Sequence, residues 1–440
     1  MKKVLSVLVV LFVSFQLNAQ WVSQVSPVTN QDFVGVSAVD NDVCWIAGFG
    51  SAVVRTTNGG TNWSNVSLPP IGNVIADISS IYAIDANTCL VSLYTPNTTY
   101  VYKTTNGGSS WGQVFAQVIP TNTSFNGIRA IYMTSAANGF MAGDPVNLRW
   151  SLWKTTDGGS TWDSTGLYLK AENSTDAGAF HCLYVDGTKI WFGTGSSKIY
   201  YSSNYGQTWS SQNTQTLTSV YDVWFNGTTG IAAGTAGTNF DGPGALYLST
   251  NSGTTWIPAP YPGGINITAA AGKGSNFIYS TLHGAIYLST NNGASFSKVD
   301  SVTVAGHVYY DIRMSRSGNS AWACGPNGMI RKGTTTHTAI NDMKPVVQNF
   351  SLEQNYPNPF NPSTTIKYAV LFESNVNIRF YNSLGQIVRE VNESNRQPGN
   401  YEINFNSSGL ASGIYFYSIK ALSSDGKNNY TAVKKMILLK

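Results

Sequence analysis

The stretch TTDGGSTW, Thr155 to Trp162, returns five more times along the chain, as TTNGGTNW, TTNGGSSW, SSNYGQTW, STNSGTTW and STNNGASF. The aromatics that close these boxes, Trp63, Trp111, Trp162, Trp209, Trp256 and Phe296, stand roughly 40 to 50 residues apart, the length of one four-stranded propeller blade. No other feature constrains the fold as much, because a fixed period makes each unit one block that must stack on its neighbours. Every unit reads alike: an apolar alternating stretch, a small-residue stretch, a short β run such as LWKTT, the box, then another strand. Four short strands in a meander follow.

Within each box one side chain decides between chemistry and scaffolding. Asp157 is the acidic member once, whereas Asn58, Asn106, Asn204, Asn251 and Asn291 fill the same place elsewhere. General acid or base work does not survive that swap, but a turn held by side-chain acceptors and a glycine does. The closing aromatic is expected to reach between neighbouring sheets and bury a large apolar surface. A seventh unit, SGNSAWACGPNGMIRKGTT, matches VDNDVCWIAGFGSAVVRTT and stops before a box. WVSQVSP, from Trp21, resembles the strands that follow the boxes, so the N-terminal strand is expected to complete the seventh blade and close the ring.

Composition agrees with an all-β chain: charged residues are only 11%, too few for long solvated helices, and glycine is abundant. A net charge of +4 with no basic stripe gives no reason to expect nucleic acid. Residues 1–19 have a basic start, an apolar run and a small residue at Ala19, the pattern of a signal peptide. No later stretch is apolar enough to cross a bilayer as a helix, so no transmembrane segment is expected after signal cleavage. Cys44, Cys89, Cys182 and Cys324 are too widely spaced for a zinc site and read as buried thiols. His181, His283 and His307 are scattered, so no metal is expected, and no phosphate loop or dinucleotide fingerprint calls for a cofactor.

On these boxes, residues 20–338 resemble the Asp-box (BNR-like) repeat propellers, among them sialidases, xyloglucanases and the photosystem II assembly and stability factor family. Those families share a fold and not an activity. After a linker at 339–350, FSLEQNYPNPFNPSTTIKYAV opens a segment, 351–440, that resembles the C-terminal sorting domain of the type IX secretion system. Tyr356, Pro357, Asn358, Pro359 and Phe360 carry that likeness, which implies type IX secretion machinery as a partner and a destination outside the cell or on its surface. Alternation in NIRFYN and GIYFYSI makes this segment a small sandwich. The expected architecture is therefore a seven-bladed β-propeller followed by a small C-terminal β-sandwich.

Aligning the inner strands by their apolar pattern places Gly35, Ser80, Arg129, His181, Tyr221, Ile267 and Tyr310 at one level of the channel. The longest loops gather Asp144, Arg149, Trp150, Glu172, Asp176 and Asp241 on one face, opposite the boxes. A ligand, protein or glycan, is expected there on Arg129, Asp144, Arg149, Trp150, Glu172, His181, Tyr221 and Tyr310. A sialidase would need an arginine triad and a tyrosine helped by a glutamate, yet Glu172 is the one glutamate of the repeat region. The alternative is a secreted two-carboxylate glycoside hydrolase using Asp144 with Glu172 or Asp176. The bland explanation is that Asp144 caps a turn before Pro145 and Glu172 is a solvated charge, which favours a non-catalytic binding propeller.

Overall fold

The structure is a computed structural model that describes residues 21–71, 76–119, 127–173, 176–214, 217–237, 242–262, 265–302, 308–335, 350–371, 374–396, 399–423 and 429–440. The expected signal peptide, Asp241 and His307 lie outside the described residues, as does all but the last residue of the expected linker. The chain divides into two compact units, Met1–Thr338 and Ala339–Lys440.

The first unit holds seven antiparallel sheets among its described residues. Their innermost strands are Phe33–Ala38, Asp77–Ala83, Ile128–Met133, Gly178–Asp186, Ser219–Asn226, Ile267–Lys273 and Asp311–Met314. We number the blades one to seven in that order. Each inner strand lies against the next and the seventh returns to the first, so the ring is closed. Six sheets have four strands; blade three has three, with single bridges from Lys154 to Asp163 and from Arg149 to Lys170 in the fourth position.

Closure uses the N-terminal strand. Val22–Gln24 pairs antiparallel with the third strand of blade seven, Ile330–Thr334, in the register Val22 to Lys332 and Gln24 to Ile330. Trp21 is 6% exposed and lies on Gly333, where an added Cβ would come within 2.4 Å of the indole. Arg331 stitches the seam: its guanidinium donates to Trp21 O at 3.1 Å and Ser23 Oγ at 3.0 Å and pairs with Asp300 at 2.5 Å.

All six boxes form the same turn between third and fourth strands. In blade three the Thr155 hydroxyl donates to Asp157 Oδ1 at 2.8 Å, Gly159 N donates back to Thr155 Oγ1 at 2.9 Å, and Thr161 N and Oγ1 donate to Asp157 at 2.9 and 2.6 Å. Thr161 above all holds the Asp157 carboxyl down, to about 2. Asn58, Asn106, Asn204, Asn251 and Asn291 accept the same hydroxyl contact from Thr56, Thr104, Ser202, Ser249 and Ser289. The glycine two residues after the Asp or Asn has φ near 80°, a conformation that costs other residues a Cβ clash.

The closing aromatics pack between blades. Trp111 meets Trp45 of blade one edge-on at 6.2 Å, Trp63 meets Trp322 of blade seven at 5.6 Å, and Trp209 meets Phe140 of blade three at 6.3 Å. Trp256 donates to Gln212 of blade four, and Trp162 and Phe296 pack into the clusters around Met141 and Tyr279. All four cysteines are free and buried, and burial pushes each thiol well above its ordinary value.

In the second unit a three-stranded sheet (Ser351–Leu352, Ser363–Val370, Gly399–Asn406) and a four-stranded one (Ile387–Arg396, Ser374–Tyr381, Gly413–Ser423, Asn429–Leu438) share one core. Alternation aims Ile366 and Tyr368 from one sheet at Ile378, Phe380 and Tyr417 from the other. The NYPNPF stretch is tied to the last strand. Phe360 is 2% exposed and exchanges backbone hydrogen bonds with Ile437 and Leu439, while Asn358 Oδ1 accepts from Ile437 N at 2.9 Å. Tyr356 is 82% exposed, and the carbonyl of Pro357 accepts from the Thr364 hydroxyl. Pro359 sits between the Asn358 and Phe360 anchors.

Candidate functional site

The residues grouped on one loop face in the sequence reading fall into two sets. Asp144 is 1% exposed and bound on every side: Arg129 donates from Nε at 2.8 Å and pairs through Nη2 at 2.6 Å, while Gly178 N and Gly127 N donate at 2.7 and 3.3 Å. It is a strut between blades three and four, not a carboxylate facing a cleft. Trp150 is also a correction: its ring lies in the core at 5.0 Å from Phe192 and 5.5 Å from Tyr200, because alternation on that strand turns it inward. Arg129 is 5% exposed, under the Phe180 ring at 4.3 Å.

The other set does not converge on a reaction: Arg149, Glu172 and His283 are exposed, whereas Asp176 is buried at 9% exposure. Glu172 is ion-paired with Lys198. Asp176 accepts from the amides of Glu172 and Asn173 at 2.9 and 3.1 Å, capping its own loop. Arg149 donates to Leu167 O at 2.8 Å and lies 5.7 Å from the exposed Tyr168 ring. His283 is exposed at the turn between the second and third strands of blade six.

The level assigned to the inner strands is corrected as well. Each of the first six carries a register shift near its start, and in blades five and six it falls at Tyr221 and between Ile267 and Ala269. The extra residues there, one in five of these blades and three in blade four, move the alignment by one or two positions. The true level of Gly35 and Ser80 continues through Ala130, Cys182, Asp222, Ala269 and Asp311, leaving Arg129, His181, Tyr221 and Tyr310 one step before it.

That level joins the blades. Ser80 Oγ accepts from Ile131 N at 3.2 Å, Asp222 Oδ2 from Ala270 N at 3.1 Å, and Asp311 Oδ2 from Val36 N at 2.7 Å, each reaching the next blade around the ring. Arg313 lies between the two acids, 2.5 Å from Asp222 and 3.2 Å from Asp311. Two buried carboxylates share one guanidinium, so burial pushes the Asp222 carboxyl up to about 7 despite that contact.

Around the axis is a cavity of about 650 Å³, within the range of small-ligand sites. It is lined from His181 at one end to Asn226, Lys273 and Arg316 at the turns between first and second strands, with Asn292 of the blade-six box beside them. The cavity thus extends to the box side, opposite the loop face on which the sequence leads one to expect a ligand. Two positions beyond the corrected level come Ser37, Tyr82, Tyr132, Tyr184, Trp224, Ala271 and Arg313, paired with Trp45, Leu90, Phe140, Trp191, Ile231, Ile278 and Trp322. Four consecutive blades present aromatics there. The repeats SIYA, AIYM, CLYV and DVWF carried that signal in the sequence.

His181 has φ 59° and its Nε2 has no hydrogen-bond partner; burial above all lowers its pKa, so the ring is neutral at pH 7. Tyr82 donates to Met133 O at 2.7 Å. Burial raises the phenols of Tyr132 and Tyr184, the latter to about 12. Among the described residues no group of three His, Cys, Asp or Glu side chains could hold a metal, and no helix is long and apolar enough to cross a membrane.

Residues 354–438 match the secretion system C-terminal sorting domain family, which marks this chain for export through the type IX system to the cell surface or beyond. No curated protein matches the chain. Among solved structures, YCF48 bound to D1 peptide is 18% identical with a TM-score of 0.54, over 72% of this chain and 97% of that one. YCF48 from Cyanidioschyzon merolae is 14% identical, TM-score 0.55, over 72% and 99%. The GH74 xyloglucanase from Xanthomonas campestris is 11% identical, TM-score 0.55, over 94% and 81%. At these identities the likeness is one of fold: the first unit is a β-propeller.

Proposed function

We propose that this chain is an exported propeller that binds a protein or glycan partner without transforming it. The observation that carries the reading is the state of Asp144. Cleaving a glycosidic bond needs two carboxyl groups roughly 5 to 10 Å apart, open to the sugar and poised as acid and as base or nucleophile. Asp144 spends its oxygens on Arg129, Gly127 and Gly178, Glu172 is held by Lys198, and Asp176 caps its own loop. Asp222 and Asp311 are tied to Arg313 and to backbone amides of neighbouring blades. Binding by a propeller of this fold has a precedent in the YCF48 structure that holds a D1 peptide. The boxes serve as hairpin clasps, and residues 1–19 as the signal that takes the chain across the first membrane.

The test is a capture and turnover screen with the mature protein. Immobilised protein is offered extracellular glycans and surface proteins, and the supernatant is analysed for shortened products. Retention without product supports the reading. Product formation by wild type that disappears in a folded Asp144→Asn variant contradicts it.

A further inference from the structure

We propose that the central channel is a saccharide-binding site whose wall is the aromatic arc Tyr82, Tyr132, Tyr184 and Trp224; this rests on the binding reading above and names its site and ligand class. Neighbouring rings along the arc are 5.5, 5.7 and 5.1 Å apart, so they form one continuous surface across blades two to five. At the same level the facing blades offer only Ala271, Arg313 and Ser37. One wall is aromatic and the other polar and cationic, with Arg313 5.7 Å from the Trp224 ring and Arg316 5.6 Å from the Tyr82 ring, so a ligand against the rings also meets two guanidinium groups.

An aromatic stripe is most often core, and three observations argue otherwise here. The four rings are half-buried rather than buried, and the space they border is about 650 Å³. Two polar atoms of cavity-lining residues, His181 Nε2 and Asn226 Nδ2, are buried without a hydrogen-bond partner, an arrangement that costs free energy unless something in the cavity pairs with them. The hydroxyls of Tyr132 and Tyr184 have no protein partner among the described residues either, whereas Tyr82 is satisfied by Met133 O.

The pattern suits a sugar better than a peptide. A pyranose has apolar C–H faces for the rings and hydroxyl edges for scattered single donors and acceptors such as Asn226, His181 and the phenols. A peptide strand would need a row of free backbone amides along an inner strand. Those of Val36, Ala83, Ile131 and Ala270 are already taken by Asp311, Ser37, Ser80 and Asp222.

The experiment titrates the full mature chain with soluble oligosaccharides of glucose, xylose, mannose and galacturonic acid, read by calorimetry and by chain-length analysis. The expected result is saturable binding of at least one probe, weakened about tenfold or more by Trp224→Ala, less by Tyr184→Phe, and unchanged by Tyr168→Ala. Trp224→Phe, which keeps a ring, guards against loss of fold and is expected to retain most of the binding. Binding that survives Trp224→Ala but is lost in Tyr168→Ala overturns the channel site and leaves the binding reading standing. Failure of every probe with folded protein, or capture of a peptide instead, overturns the saccharide assignment. Shortened oligosaccharides would sink the binding reading itself.

Discussion

Replacing Asp144 by Asn removes the negative charge that compensates Arg129 in the wall between blades three and four. The side chains are 0% and 7% exposed, so water cannot readily take the carboxylate's place. Removing one partner of a buried ion pair costs about 3–5 kcal/mol, because the other charge stays buried. For a unit of roughly 300 residues that lowers the melting temperature by about 5 to 8 °C. Burial pushes the Asp144 carboxyl up even beside Arg129, so desolvation outweighs what the pair returns. The double variant Arg129→Met/Asp144→Asn is therefore expected to recover at least half the loss and to be far less unstable than the sum of the two single variants. All twelve tryptophans precede residue 339, so urea unfolding followed by tryptophan fluorescence reports the propeller alone. An Asp144→Asn variant within about 0.5 kcal/mol of wild type, or a double variant as unstable as the sum of the singles, would refute the strut account.

Three further outcomes follow from the same contacts. Trp21→Ala deletes the ring seated on Gly333 and is expected to cost about 3–5 kcal/mol and expose the N-terminal strand to proteolysis; unchanged protease resistance would mean the clasp is dispensable. Asp222, with its folded pKa raised to about 7, binds a proton more tightly in the folded than in the unfolded chain. Its contribution is thus fully present below about pH 4 and lost as pH rises through about 7, so Asp222→Asn should flatten the melting temperature between those limits, and an unaltered slope would contradict that. Phe360→Ala opens the sandwich core against Phe380 and Phe405, costing about 3–5 kcal/mol. Less of that variant should reach the medium than of Tyr356→Ala, whose ring is exposed, by immunoblot of cell and medium fractions.

Much of the architecture was legible in the sequence because it is written in periodic, chemically specific marks. The six boxes set the blades, and the likeness of WVSQVSP to the strands after the boxes placed Trp21 in the seam. The site was less legible, for identifiable reasons. Loop length brought Asp144 and Trp150 forward as surface groups, but strand alternation turns Trp150 inward and the Gly178 and Gly127 amides draw Asp144 into the wall. Pattern alignment of the inner strands cannot see a bulge, so Arg129, His181 and Tyr221 were assigned a level that belongs to Ala130, Cys182 and Asp222. That slip hid the aromatic arc, since Tyr132, Tyr184 and Trp224 share a level only in the corrected register.

Holding a ligand and leaving it whole is what separates a binding propeller from a hydrolase built on the same fold. Incubating folded wild-type protein with reducing-end-labelled oligosaccharides, while following bound fraction and chain length over time, tests it directly. Saturable binding with unchanged chain length is the expected result; progressive shortening of the labelled chains would contradict it.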